Sequence, residues 1–345
     1  MGLISLCCAI AVDTLTILFA GDLMQHQPQL DNAHIDGTPL NDNYGYDYSD
    51  YFKYIAEEVT RADLAVVNME FTVGVTPFTG YPTFSAPAAL AKEAARAGFD
   101  IFLCANNHIC DKGKRGLRST LDTYDTLGIK HTGAFRDSRD EITRNPLMVE
   151  INGLRLALVN VTYGTNGIPV PEPYIVGHLD SSYIRKTIGR AREKDADIII
   201  ALPHWGEEYV TTPNKFQRRW EEYFYYCGAD AVIGGHPHII QPLTLTDGRI
   251  TLYSMGNLIS NMSRQGTALG LMLRIKIATE PIPHICDAEP IPVWCSRKGM
   301  FSEKYTILPV ERYLDKEELF LNKADYKMMK ETYIKYKKLF DKDAN

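Results

Sequence analysis

Asparagine, asparagine and histidine stand together in Ala105-Asn106-Asn107-His108-Ile109-Cys110-Asp111, directly after the apolar run Phe99-Asp100-Ile101-Phe102-Leu103-Cys104. A hydrophobic core has no need of three polar side chains there. An asparagine oxygen can ligate a metal, and a histidine can ligate one or protonate a leaving group. On turn chemistry alone the cluster reads equally well as a turn with a helix cap. Other polar clusters also follow apolar runs, and they supply Asp22, Asn68 with Glu70, His204, His236 with His238, and Ser254 with Asn257. Taken singly, Asp22 reads as a turn residue, Glu70 as a surface carboxylate and His204 as a satisfied core histidine. Their recurrence at successive run ends is harder to attribute to packing.

Buried Asp, Glu and His side by side must pair or bind a cation, because an unpaired buried charge is costly. Carboxylate, amide oxygen and imidazole together suit Mn, Zn or Fe better than Mg or Ca, which favour all-oxygen shells. A bridging carboxylate would let two such ions sit about 3.5–4 Å apart and lower the pKa of a shared water for attack on phosphorus or carbonyl carbon. A histidine outside the ligand set could then protonate the leaving oxygen. The spacing His236-Pro237-His238 reads as an extended segment that aims both imidazoles the same way.

The elements that must position these residues alternate. Short apolar runs at Leu15 to Ala20, Leu64 to Val67, 100–104, Ile198 to Leu202 and Ala231 to Ile233 read as buried strands. Between them, helical patterns run from Tyr51 to about Thr60, Ala88 to Ala97 closed by Gly98, Gly116 to Leu127 closed by Gly128, 182–194 and about 214–227. A hairpin spans Leu147 to Val161 with its type I′ turn at Asn152-Gly153. Leu252-Tyr253-Ser254 reads as a strand, and the tail as strands near 268–277 and 305–310 with a Lys-rich helix from about 315 to 340. Segments 27–48, 72–87 and 163–180 read as loops. This order predicts an α/β fold, a mainly buried sheet with helices outside. In such sheets the site lies past the carboxyl ends of the strands, where the polar clusters fall.

The 345 residues are enough for one large domain or two small ones, and 45% apolar with 23% charged residues is ordinary for a globular protein. A net charge of -6 argues against a nucleic-acid or anionic-membrane partner. The run from Leu3 to Val12 is too short to span a bilayer and resembles the apolar region of a secretory signal, with small residues at Ala9 and Ala11 but no basic start. Export to the cell envelope with a mature end near Val12 is the expectation; a buried first strand in a cytoplasmic protein is the alternative. No later stretch reads as a membrane helix. Of seven cysteines, Cys7 and Cys8 fall in this segment, and the odd remainder without a CxxC pair argues against a disulfide framework or a zinc-thiolate site. Cys286 and Cys295 could pair across a hairpin in an exported protein.

Six ordered motifs carry a family resemblance: Gly21-Asp22-x-Met24, Asn68-x-Glu70, Ala105-Asn106-Asn107-His108-x-x-Asp111-x-Gly113, His204-Trp205-Gly206-x-Glu208-Tyr209, Gly235-His236-Pro237-His238 and Tyr253-Ser254-x-Gly256-Asn257. The chain resembles the CapA family, bacterial capsule proteins associated with poly-γ-glutamate synthesis that are similar in fold to calcineurin-like metallophosphoesterases. The resemblance covers about residues 15–260. It implies a metallophosphatase-like α/β/β/α sandwich over 13–262, after a possible signal or anchor remnant at 1–12, with 263–345 completing or capping it. It implies one or two divalent ions, with Asp22 and His238 on one, Asn107, His204 and His236 on the other, and Glu70 bridging. His108 would be the general acid or would stabilise the transition state. Asn68, Asn106, Asp111, Glu208, Ser254 and Asn257 would orient substrate or support the ligands.

Two departures bear on the metals. The superfamily's Asp-x-His is Asp22-Leu23-Met24 here, and a thioether is a poor ligand for a hard ion. Either His26 reaches in, or the first ion is weakly held, or one ion suffices. Glu70 also stands where the superfamily has aspartate, which moves the bridge by a methylene. The function implied is hydrolysis of an amide or phosphoester in an anionic polymer, poly-γ-glutamate or a related cell-wall peptide, beside the capsule synthesis machinery. A non-catalytic accessory protein for polymer synthesis or export is one alternative, and a phosphodiesterase of small molecules another. Lys112, Lys114 and Arg115 could bind the anion or simply solvate a helix start.

Overall fold

The computed structural model describes residues 14–246 and 249–341, so the expected signal at 1–12 lies outside the described residues. Two sheets share one apolar layer. The eight-stranded sheet runs Thr306–Pro309, His284–Ser296, Leu269–Ala278, Thr14–Leu23, Leu64–Met69, Ile101–Leu103 and Lys130–Thr132, with Asn257–Ile259 paired to the end of Thr14–Leu23. The six-stranded sheet runs Leu243–Thr246, Arg249–Leu252, Ala231–Ile233, Ile198–His204, Leu154–Thr162 and Leu147–Ile151.

Side-chain alternation builds the layers. Leu15, Ile17 and Phe19 meet Leu156, Leu158, Ile200 and Leu202 between the sheets. The intervening Leu18 and Ala20 face outward with Ala65 and Val67, against Leu90 of helix Ala88–Arg96 and Leu117 and Leu121 of helix Gly113–Leu127. On the other side Ala157, Val159, Ile199 and Ala201 pack on Ile184 and Ile188 of helix Ser181–Glu193 and Phe224 of helix Lys215–Cys227. Each leucine, isoleucine, valine or phenylalanine among them contributes about 1.5–3 kcal/mol on burial. The result is the expected α/β/β/α sandwich. The residues after 263 add three strands to the same sheet as the first strand, and the helix Lys323–Tyr336 packs on them.

Several elements differ from expectation. The helix read at 51–60 is two short ones, Ser49–Phe52 and Ala56–Thr60, and the loop read at 27–48 opens with helix Gln27–Ala33, which has Pro28 in its first turn. The strand read at 252–254 ends at Leu252; residues 253–256 cross to the other sheet, where Asn257–Ile259 pairs parallel with the first strand. The tail holds a thirteen-residue strand, His284–Ser296, that was not expected, and its helix is shortened to Lys323–Tyr336. Cys286 and Cys295 lie on that one strand and are both free.

One side chain ties the sheets together at the site end. Asn160, on the strand Leu154–Thr162, accepts the Ala105 N–H at 2.7 Å and the Cys104 N–H at 3.1 Å, and donates to the Leu202 carbonyl at 2.8 Å. It thereby anchors the start of the Asn-Asn-His loop. A Cβ on Gly133 would lie 2.0 Å from Asn160 Oδ1 and 2.5 Å from the Ala105 nitrogen, so this contact requires glycine. Replacing Asn160 by leucine keeps the volume but strips buried backbone groups of a partner. The expected cost is about 2–4 kcal/mol, read as a lower midpoint in urea unfolding; an unchanged midpoint would refute the anchoring role.

Candidate metal centre

The first strand reaches the site through a tight passage. Gly21 lies against residue 256, where a Cβ would come 2.1 Å from the Gly256 oxygen, and the Asp22 N–H donates to that oxygen at 3.0 Å. Glycine is what lets the chain pass and present Asp22. Pairing between this strand and Leu64–Met69 shifts register between Ala20 and Asp22. The neighbouring strand ends at Asn68, Met69 and Glu70, the Asn-Asn-His loop follows Ile101–Leu103, and His204 closes its own strand in the second sheet.

These ends converge. Donor atoms of Asp22, Glu70 and His204 lie within 4.8 Å of one another, and so do those of Glu70, His236 and His238. All five side chains are buried, with Asp22 and Glu70 at 0% exposure. Glu70 Oε1 lies 3.5 Å from His204 Nε2 and 3.7 Å from His238 Nε2, beyond hydrogen-bonding range. Among the described residues neither Glu70 oxygen accepts a hydrogen bond, and His236 Nδ1 is likewise unpartnered. A buried carboxylate with no donor is expensive. The orphaned atoms and the mixed oxygen and nitrogen donors fit divalent Mn, Zn or Fe.

Glu70 belongs to both clusters; Asp22 has His204 in its group and His238 Nδ1 at 3.5 Å, and His236 lies with Glu70 and His238. Asn107 joins through His204, whose Nε2 is 2.8 Å from Asn107 Oδ1. Met24 is a buried core residue. His26 stands outside both groups: its Nδ1 accepts the Asn261 N–H at 3.2 Å and its ring packs edge-on against Phe84 at 5.3 Å, in front of helix Gln27–Ala33. Burial holds its pKa at about 4.

The His-Pro-His segment is not extended. His236 has φ +97° and His238 φ +56°, a left-handed backbone costing about 1–3 kcal/mol per residue. The turn is held because the His236 N–H donates to Asp22 Oδ2 at 3.1 Å and the Pro237 carbonyl accepts the Tyr209 N–H at 2.8 Å. Both imidazoles therefore face Glu70 through a turn, where the sequence suggested a straight run.

Surrounding side chains set hydrogen-bond directions. Asn257 Nδ2 lies 3.0 Å from the Thr267 carbonyl and 3.4 Å from that of His238, both acceptors only, so this atom is the amide nitrogen. Its oxygen then faces His238 Nδ1 at 3.0 Å and calls for a proton there, leaving Nε2 to ligate. Asn68 donates to Asp22 Oδ1 at 2.8 Å. Asn106 serves the loop, donating to the Met69 carbonyl at 2.9 Å and accepting the His108 N–H at 3.1 Å. His108 Nδ1 is 2.8 Å from Asp111 Oδ2, which also accepts the Phe84 N–H at 2.7 Å, and the ring packs edge-on against Phe84 at 4.6 Å. Ser254 Oγ accepts the Gly256 N–H at 3.1 Å and shapes the turn, apart from the ligand groups. Glu208 is exposed, and its charge acts on His238 and Tyr209. Lys112 donates to Thr83 Oγ1 at 3.1 Å, and Lys114 and Arg115 are exposed.

Asn160 and Tyr163 were not among the expected site residues. The Tyr163 ring lies 4.6 Å from His236, and its hydroxyl shares Asn166 Oδ1, at 3.3 Å, with Asn107 Nδ2 at 3.2 Å. The signal was a polar residue breaking an apolar run, Val159-Asn160-Val161.

The profile of the family described as bacterial capsule synthesis protein PGA_cap matches residues 16–262. This chain belongs to that family. It is 30% identical over 240 residues to the PGA biosynthesis protein CapA of Bacillus subtilis, covering 66% of this chain and 60% of that one. It is 26% identical over 258 residues to the capsule biosynthesis protein CapA of Bacillus anthracis, covering 72% and 60%. The chain thus spans about three-fifths of the length of these relatives. Among solved structures, a candidate 5'-nucleotidase from Staphylococcus aureus in complex with α-ketoglutarate aligns with TM-score 0.51 at 13% identity, over 93% of this chain and 58% of that one. That likeness shows a shared fold.

Charge compensation among these side chains has a measurable consequence. Burial would depress His238, but the carboxylates of Glu70 and Asp22 outweigh it and hold the imidazole up at about 9. Burial would raise Asp22, but the same histidine, His204 and Asn68 bring its pKa below the ordinary range. His236 is held well below the ordinary imidazole range, by burial and by His204 and His238, and stays neutral. A proton on His238 therefore stands in for a cation. Its stabilising effect is complete below the ordinary value of 6.5 and lost as pH rises through about 9. Ion uptake must displace that proton, so affinity for Mn or Zn is expected to rise with pH up to about 9, with about one proton released near neutrality. Calorimetric titration in buffers of different ionisation enthalpy measures this; uptake without proton release would contradict the assignment.

Proposed function

We propose that this chain is a metal-dependent hydrolase of the cell envelope that cleaves an amide or phosphoester bond in an anionic polymer. Poly-γ-glutamate or a related cell-wall peptide is the substrate class that the relatives' names suggest. The observation that carries the reading is Glu70, fully buried, accepting no hydrogen bond and common to two groups of ligand atoms. A carboxylate serving packing or stability would have found donors. Bound divalent ions would supply Lewis acidity and a water of lowered pKa at neutral pH.

The chain's own residues supply the rest. Asp22, Glu70, His204, His236 and His238, with Asn107 beside His204, would hold the ions. His108 belongs to neither ligand group, and Asp111 and Phe84 fix its ring. With Nδ1 engaged by Asp111, Nε2 is the atom left to hand a proton to the leaving group. Tyr163 flanks His236 and is 41% exposed, and burial pushes its phenol up to about 12, so it meets substrate as a neutral donor. Among the described residues no helix is long and apolar enough to cross a membrane. The envelope assignment rests on the capsule association of the family.

The test joins elemental analysis to turnover. Purified protein is expected to carry Mn, Zn or Fe and to hydrolyse polyglutamate or a generic phosphodiester. His108→Ala is expected to retain the metal while losing about a hundred- to ten-thousand-fold in turnover. Protein that stays inactive after reconstitution would overturn the hydrolase reading in favour of an accessory role in polymer synthesis or export. Activity confined to small phosphodiesters would exclude the polymer.

A further inference from the structure

The loop that follows strand Leu154–Thr162 touches two candidate ligands, His204 of its own sheet and Asn107 of the other. Its first residue, Tyr163, donates its backbone N–H to the His204 carbonyl at 3.0 Å. A tight turn comes next, from Thr165 to Ile168, with Asn166 at φ +52° and Gly167 at φ +74°. The Ile168 N–H donates to the Thr165 carbonyl at 2.9 Å, and the Thr165 hydroxyl donates to the Ile168 carbonyl at 2.6 Å. Thr165 is buried and Ile168 packs on the core, so the turn is fixed at both ends. Asn-Gly is the ordinary pair for two successive positive φ angles, as at Asn152-Gly153. Turn formation therefore asks nothing of the Asn166 side-chain oxygen.

That oxygen is nonetheless engaged. Asn166 Oδ1 accepts from Asn107 Nδ2 at 3.2 Å and from the Tyr163 hydroxyl at 3.3 Å. At its other end the Asn107 amide turns Oδ1 to His204 Nε2 at 2.8 Å. A carboxamide has an oxygen at one end and a donor-only NH2 at the other, and only the oxygen can hold a cation. Asn107 is buried, and a half-turn about its last bond would aim the NH2 at the ligand cluster. An acceptor at the outer end sets the amide the right way round, and Asn166 Oδ1 stands there. The Tyr163 hydroxyl is also within hydrogen-bonding reach of Asn107, but a hydroxyl donates or accepts and fixes no direction.

We infer that Asn166 is a positioning residue of the ion site: its oxygen holds the Asn107 amide with Oδ1 facing the ions. The same loop steadies His204 through the Tyr163 N–H, so one segment serves a ligand from each sheet. The inference rests on the metal reading of the site, and it concerns ion binding, which is measured apart from turnover.

The test is calorimetric titration of the whole chain with Mn²⁺ alone. Asn166→Gly keeps the turn and removes the acceptor, and is expected to bind Mn²⁺ about 10–100-fold more weakly. Asn166→Asp keeps an acceptor and suits the same backbone, so it should match or exceed the wild-type affinity. In an Asn107→Ala background, Asn166→Gly should cost nothing further, because no amide is left to orient. A general loss of structure would instead add to the Asn107→Ala loss. Equal Mn²⁺ affinity in Asn166→Gly and the wild type, or a fully additive loss, would overturn the positioning role and leave the hydrolase reading intact. Ion binding that depends on Asn166 through Asn107, in a protein that hydrolyses nothing, would do the reverse: the positioning role stands and the hydrolase reading falls.

Discussion

The carboxylate of Glu70, fully buried and without a hydrogen-bond donor, is the constraint around which this end of the molecule is organised. Negative charge in that position is unfavourable unless positive charge faces it. Within the chain itself the compensation comes from a histidine proton, since Glu70 and Asp22 outweigh the burial of His238 and hold its pKa up at about 9. His236, pushed down by its burial and by the nearby His204 and His238, stays neutral. One imidazole of the pair is thus a stand-in cation and the other a free donor. An ion entering such a site would displace that proton, which would link its occupancy to pH.

The rest of the architecture explains why so costly an arrangement persists. The carboxylates and amides come from strand ends of one sheet, and the histidines from strand ends of the other. Their approach is therefore set by how closely the sheets pack, and the leucines and isoleucines between them fix that spacing. Asn160 pins the two sheets together at the level of the site, and Gly21 and Gly133 allow the backbone approaches. The left-handed residues of the His-Pro-His turn are held by bonds to Asp22 and Tyr209. Strain there, like the buried charge, is sustained by a core far larger than the site.

Much of this was legible in the sequence, for physical reasons. Buried strands need continuous apolar runs, so the run ends marked where polar chemistry could begin, and Asp22, Glu70, Asn107, His204, His236 and His238 do meet. Gly98 and Gly128 stopped helices where expected, and Asn152-Gly153 turned a hairpin, because each adopts a positive φ that few other residues tolerate. The failures were equally physical. The helix Gln27–Ala33 carries two glutamines, an aspartate and an asparagine and so read as loop, yet it buries Leu30 and Ala33 against the core. The strand His284–Ser296 holds two prolines, which disguise it. The His-Pro-His geometry was misjudged because spacing alone does not reveal a left-handed backbone.

The methionine at position 24 raised the question of whether enough ligands are left for two ions. Met24 is sealed in the core, and His26, the nearest substitute, is committed to the Asn261 N–H and the Phe84 ring. Neither rejoins the site. The ligand count is made up from the second sheet, because His204 lies within reach of Asp22 as well as Glu70. Asp22 then has Glu70 and His204 beside it and His238 Nδ1 at 3.5 Å, while Glu70 also groups with His236 and His238. Three histidines of the second sheet are thus gathered around one shared glutamate. The stem of Glu70 is long enough for one carboxylate to stand in both groups.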